Sequence, residues 1–178
     1  MQESRILRGL FIQRMERLIN MIKEIHVFDF DGTLVDSSHR YRHIKGKIDL
    51  DYWNEKAHLA FKDRLLPLFE EYKKLSAEQG KYPVIATARV WDEYSKTFAH
   101  THAINGHIVA RKPGDDRGGA TIKAKGLNRL LSLRQFAQVE VVHIYEDNLN
   151  YLFALIENFK AKGFNRVIGH YIASNQGY

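Results

Sequence analysis

An α/β domain, a parallel sheet with helices on both faces, is the fold the sequence predicts. Short apolar segments of strand character recur along the chain, and amphipathic stretches of helical length separate them. Two of the apolar segments end on paired carboxylates, and an open parallel sheet gathers its ligands beyond the carboxyl ends of its strands. The 178 residues, 44% of them hydrophobic, suit one domain with a substantial core.

Residues 5–23 place apolar side chains at 6, 7, 10, 11, 15, 18, 19 and 22 with basic residues between, the repeat of an amphipathic helix. Residues 1–20 are therefore expected to be an N-terminal amphipathic helical extension, and 21–178 the domain proper. The run I-H-V-F-D-F at 25–30 reads as a buried strand, and so do 82–87, 107–110, 139–145 and 166–172. Helical patterns fill the gaps at 61–79, which stops at Gly80, at 91–102, at 120–136, and at 149–162, which stops at Gly163. Residues 37–51 form the longest irregular stretch before the first core helix, long enough to overhang a site and too short for a domain.

Composition excludes several classes. The chain has no cysteine, so neither a disulfide framework nor a thiolate metal site is available, and a reducing, cytoplasmic setting is expected. No apolar run approaches the ~20 residues that cross a bilayer, and the N-terminal stretch lacks a continuous signal-peptide core, so no membrane partner is expected. A formal net charge of +6 attracts polyanions.

The segment V-F-D-F-D-G-T-L at 27–34 sets Asp29 and Asp31 one residue apart at a strand end. Side chains two apart on a strand share a side, and like charges ~4 Å apart repel by roughly 4 kcal/mol at an effective dielectric of 20. A cation or a retained proton relieves that. I-Y-E-D-N at 144–148 adds Glu146 and Asp147 at a second strand end, so carboxylates converge from two strands. Oxygen ligands without sulfur favour a hard ion, Mg²⁺ foremost, held among Asp29, Asp31, Glu146 and Asp147. Asp29 then suits a nucleophile, and Asp31, held partly protonated, a general acid and later a base. Thr87 closes a strand with a hydroxyl for an oxyanion, and Lys123 follows Gly118 and Gly119 near a helix start, where anions are favoured. Together these parts describe a phosphoryl-transfer site.

D-F-D-G-T-L at 29–34, Thr87, Lys123 and the pair at 146–147 resemble, in order and spacing, the four motifs of the haloacid dehalogenase superfamily, over about residues 24–172. The resemblance implies a three-layer Rossmann-like sheet of order 3-2-1-4-5 with a minimal cap. It also implies a phosphoaspartate on Asp29, acid/base work by Asp31 and metal ligation by Asp147 with Glu146 beside it. R-K-P-G-D-D-R-G-G-A-T-I-K at 111–123 is similar to the R-x-x-G-D-x-R-x-x-x-x-x-K signature of the 3′-phosphatase domain of phage-type polynucleotide kinase-phosphatases. That second resemblance implies phosphate contacts from Arg111 and Arg117, and from Arg89 and Arg40, which fall where that family carries arginines.

The function implied is a polynucleotide 3′-phosphatase acting on DNA or RNA 3′-phosphate ends, with a separate kinase or ligase as possible partner, since no G-x-x-x-x-G-K-[ST] loop is present. A phosphatase of small nucleotides or phosphosugars is the alternative, and a nucleic-acid-binding protein with a lapsed site is a third reading. Tyr41, Tyr52, Trp53 and Tyr94 flank the arginines as base platforms or as packing.

Overall fold

The computed structural model describes residues 22–45 and 47–173, and the expected extension at 1–20 lies outside the described residues. Five parallel strands form the central sheet: β1 (Glu24–Phe28), β6 (Lys81–Val90), β7 (His107–Arg111), β8 (Val141–Glu146) and β9 (Arg166–Tyr171). Their spatial order is β7-β6-β1-β8-β9, which is the expected 3-2-1-4-5. Four short strands lie outside it: β2 (Val35–Asp36) pairs antiparallel with β5 (Arg64–Leu65), and β3 (His43–Ile44) with β4 (Lys47–Ile48). The helices are α1 (Leu50–Glu55), α2 (Leu68–Ala77), α3 (Glu93–Thr101), α4 (Gly119–Leu131) and α5 (Leu149–Ala161).

Alternation along the strands divides the interior into two layers. Ile25 and Val27 of β1, with Val84, Ala86, Val142 and Ile144, pack under Leu127 and Leu130 of α4 and Leu152, Leu155 and Phe159 of α5. On the other face Phe28 and Ile85 join Phe30, Leu34 and Val35 beneath Phe69, Tyr72 and Leu75 of α2 and Phe98 and Ala99 of α3. The central strand is thus buried on both sides, which is why its sequence is a nearly unbroken apolar run. Gly126 lets α4 approach the sheet closely, since a Cβ there would sit 2.2 Å from Val109 Cγ1.

The expected helix at 61–79 starts only at Leu68. Pro67 occupies its N-terminal turn, and the preceding residues form a 3-10 helix (Ala57–Lys62) followed by β5. Residues 37–63 therefore make a small insertion over the carboxyl ends of the strands, its 3-10 helix resting on α3. The helix expected at 120–136 turns out as α4 plus a separate 3-10 turn at Arg134–Phe136. Among the described residues no helix is long and apolar enough to cross a membrane.

Candidate active site

β1 delivers Asp29 directly after its last residue, with the Asp29 amide donating to Tyr145 O at 2.8 Å. The chain then turns tightly: Gly32 takes φ 82°, the left-handed region that glycine enters without steric penalty, and its N–H reaches Val35 O at 2.8 Å. Thr33 inside that turn donates to Asp29 Oδ2 at 3.3 Å. β8 ends on Glu146, and Asn148 caps α5 by accepting from the Tyr151 amide. Asp29, Glu146 and Asp147 consequently each offer an oxygen within 4.8 Å of the others.

Lys123 enters this group from α4 and is 1% exposed. Its Nζ donates at 2.6 Å to Asp29 Oδ1 and at 2.6 Å to Glu146 Oε2. Burial opposes the ammonium, but the two carboxylates hold its pKa well above the usual lysine range. Asp29 is pushed up to about 7, first by burial and then by the charge of Glu146, against the pull of Lys123. Asp147 is also raised to about 7, by burial and then by Asp29. Three carboxylates against one ammonium leave two negative charges uncompensated, and a divalent cation supplies that number. The donor set, all oxygen, fits a hard ion such as Mg²⁺.

Asp31 lies outside that trio, near enough for its charge to act on both Asp29 and Asp147. Ser37 Oγ donates to its Oδ1 at 2.7 Å, Arg89 Nε donates to its Oδ2 at 2.9 Å, and Arg89 Nη2 closes a fork onto Oδ1. Burial would raise the Asp31 pKa, but the Arg89 charge and the hydrogen bonds from Arg89 and Ser37 bring it below the ordinary carboxylate value. In this arrangement Arg89 and Ser37 occupy the Asp31 oxygens and favour the charged carboxylate.

The backbone of β6 places the arginine. Pairing with β7 slips between Ala86 and Val90, and Thr87 and Arg89, two apart, both turn toward Asp31. Thr87 Oγ1 lies 3.4 Å from Asp31 Oδ2 and accepts from the Arg89 amide at 3.1 Å. Arg89 is 5% exposed and also reaches Asp63 Oδ2 at 3.2 Å, while its Nη1 is the one buried side-chain polar atom without a partner among the described residues.

The other expected arginines have internal partners. Arg40 is buried and forks onto Asp63 at 2.8 and 3.0 Å, with Trp53 4.0 Å from its guanidinium. Arg111 donates to Ala88 O at 2.7 Å and to Arg117 O at 2.8 Å, tying the 112–118 loop to β6. Arg117 forks onto Asp115. Sequence reasoning missed Asp63, the buried anion that organises Arg40 and Arg89, because it sits alone in a stretch with no motif around it. It missed Ser37 for the same reason.

A family model described as the bacteriophage T5 5′-deoxynucleotidase matches residues 13–112, more than half of the chain. The chain belongs to this family. Solved structures similar to this T5 5′-deoxynucleotidase family member carry the haloacid dehalogenase fold. The HAD domain of the Legionella pneumophila effector Lem4 aligns at 17% identity over 89% of this chain and 90% of that one, TM-score 0.60. A candidate phosphatase from Clostridium difficile aligns at 18% identity over 88% of this chain and 87% of that one, TM-score 0.56. A chain of the Pnkp1/Rnl/Hen1 RNA repair complex aligns at 17% identity over 84% of this chain but 43% of that one, TM-score 0.53. No curated protein sequence matches the chain. The family member is thus a phosphatase of haloacid dehalogenase fold.

Proposed function

We propose that the chain hydrolyses 5′-phosphomonoesters of deoxynucleosides with Asp29 as nucleophile. The observation that carries the reading is the Asp29–Lys123–Glu146–Asp147 cluster at the strand ends, in a chain whose family is described by a 5′-deoxynucleotidase. Asp29, Glu146 and Asp147 would hold Mg²⁺, which supplies positive charge for Asp29 and for the phosphoryl oxygens. Lys123 orients the Asp29 carboxylate, and Thr33 adds a second donor to it. An Asp29 oxygen attacks phosphorus, the P–O5′ bond breaks, and water then cleaves the acyl phosphate to regenerate the carboxylate.

Proton transfer falls to Asp31. Because it rests ionised, the proton it gives to the departing O5′ is one it first takes from the monoanionic phosphate; it later takes one from the attacking water. Trp53 is half-buried, with the Arg40 guanidinium 4.0 Å and the Arg89 guanidinium 5.2 Å from its ring, so it steadies both cations.

Polynucleotide 3′-phosphatase activity is the second reading, favoured by the net charge of +6 and by the 111–123 signature. Against it, Arg40 is buried on Asp63 and Arg111 is tied to Ala88 O and Arg117 O, while Arg117, although exposed, is forked onto Asp115. Under that reading a 5′-kinase would come from another chain. Phosphate release from deoxynucleoside 5′-monophosphates and from a 3′-phosphorylated oligonucleotide, each with Mg²⁺ and with EDTA, separates the two. Faster, Mg²⁺-dependent turnover of the mononucleotides supports the first reading. Faster turnover of the oligonucleotide replaces it with the second.

A further inference from the structure

The sheet carries a second set of metal-ligating side chains at the end opposite the catalytic carboxylates. Along β1, Glu24 lies five residues before Asp29, about 16 Å away at the rise of an extended strand. His26 of β1 is directly opposite His143 of β8, and both rings project from the face that Phe28 shares with Tyr145. The two imidazoles stack with centroids 4.4 Å apart and planes 2° from parallel. α5 packs on the other face, where a Cβ on Gly169 would meet Ile156 and Leu152.

Glu24 Oε2 lies 3.2 Å from His26 Nε2 and 4.0 Å from His143 Nε2. Carboxylate and ring atoms of all three residues fall within 4.8 Å of one another. Donors on one tetrahedral zinc ion sit about 3.3 Å apart, so Glu24 and His26 already have that spacing and the gap from Glu24 to His143 closes by less than about 1 Å.

The outer nitrogens of both rings are engaged. His26 Nδ1 is 3.3 Å from Tyr145 Oη, and His143 Nδ1 is 3.0 Å from His170 Nε2. With Nδ1–H donating in each case, each Nε2 is left with its lone pair on the Glu24 side; because the rings stack 2° from parallel, binding one ion turns them out of that stack so that the two lone pairs converge. Lys81, whose charge reaches both histidines, is paired with Glu78 at 2.7 Å. Side-chain exposures of 35% for Glu24 and 17% for His143 leave the ion a route in and a place for a water ligand.

We propose that Glu24, His26 and His143 form a binding site for a borderline-soft divalent transition ion, zinc foremost, distinct from the oxygen-only catalytic group. Two imidazoles and one carboxylate select such an ion over Mg²⁺. Bound there, it cross-links the adjacent strands β1 and β8 and takes the place of the proton that otherwise joins His26 to Glu24.

Cobalt(II) is the probe, titrated into the metal-stripped full chain in excess Mg²⁺, with visible absorption as readout. One equivalent is expected to produce the bands of a low-symmetry N/O site, which Zn²⁺ then bleaches. Glu24→Gln and His143→Gln, both at partly exposed positions, are each expected to lose the bands, with thermal melts confirming that they are folded. Asp147→Asn is expected to keep them. Absence of the bands from the wild type, or their survival in a folded Glu24→Gln or His143→Gln chain, would overturn the assignment, as would their loss in Asp147→Asn alone.

Discussion

Asp147→Asn should make the ion-free protein more stable at pH 8. The Asp147 carboxylate shares its surroundings with Asp29 and Glu146, within 4.8 Å, and only one ammonium offsets the three. At that separation one like-charge pair costs about 3.5 kcal/mol at an effective dielectric of 20. A carboxyl raised from its ordinary value of 3.8 to about 7 expresses a penalty of similar size, about 4 kcal/mol at 1.36 kcal/mol per pKa unit. Asp147 is only partly buried, and screening reduces both figures to roughly 2–3 kcal/mol.

The sign follows from linkage. An acid whose folded pKa lies above its unfolded one contributes stability at low pH that is lost as pH rises through about 7. Urea unfolding in EDTA should therefore show the asparagine variant ahead by roughly 2–3 kcal/mol at pH 8 and level with the wild type only near pH 3, below the unfolded pKa. Mg²⁺ should raise the wild-type midpoint more than the variant's. A variant no more stable than wild type at pH 8, or an equal gain at both pH values, would refute the reasoning.

Two further replacements test the scaffold of the site. Asp63→Ala removes the buried carboxylate that Arg40 grips at 2.8 and 3.0 Å, leaving a buried guanidinium unpaired; a loss of about 3–5 kcal/mol in urea unfolding is expected, together with a drop in turnover as Arg89 loses its support. Gly126→Ala drives a methyl into Val109 and should cost about 1–3 kcal/mol by thermal melt despite alanine's better helix propensity, with Val109→Ala in the same chain recovering part of it.

Much of the architecture was legible because its causes are local. Apolar runs buried on two faces announce parallel strands, so all five central strands were visible in the sequence, as was the convergence of Asp29 with Asp147. Boundaries were less so. β6 runs to Val90, beyond the expected end at Thr87, because a slip in its pairing with β7 lets the chain continue past the motif. The helix expected from residue 61 starts at Leu68 because Asp63 is drawn inward by two arginines, a tertiary demand that periodicity does not encode.

The arginines show the same limit. Their positions matched a phosphate-binding signature, but a guanidinium takes the nearest carboxylates and carbonyls, and Asp63, Asp115 and Ala88 O lie within reach. Glu24 and the histidines at 26 and 143 were hidden for a different reason. Glu24 and His26 share β1 while His143 lies alone in β8, and only the register of β1 against β8 brings the third to the other two.

The most direct test of the central claim is to trap the covalent intermediate. A deoxynucleoside 5′-monophosphate reaction with Mg²⁺, quenched in acid during steady turnover and reduced with borohydride, converts an acyl phosphate to the alcohol side chain, which peptide mass spectrometry can place. Conversion at residue 29, absent when EDTA replaces Mg²⁺ and absent in Asp29→Asn, is the predicted result. Phosphate release at full rate with residue 29 unmodified, or turnover retained by Asp29→Asn, would contradict the assignment of Asp29 as the nucleophile.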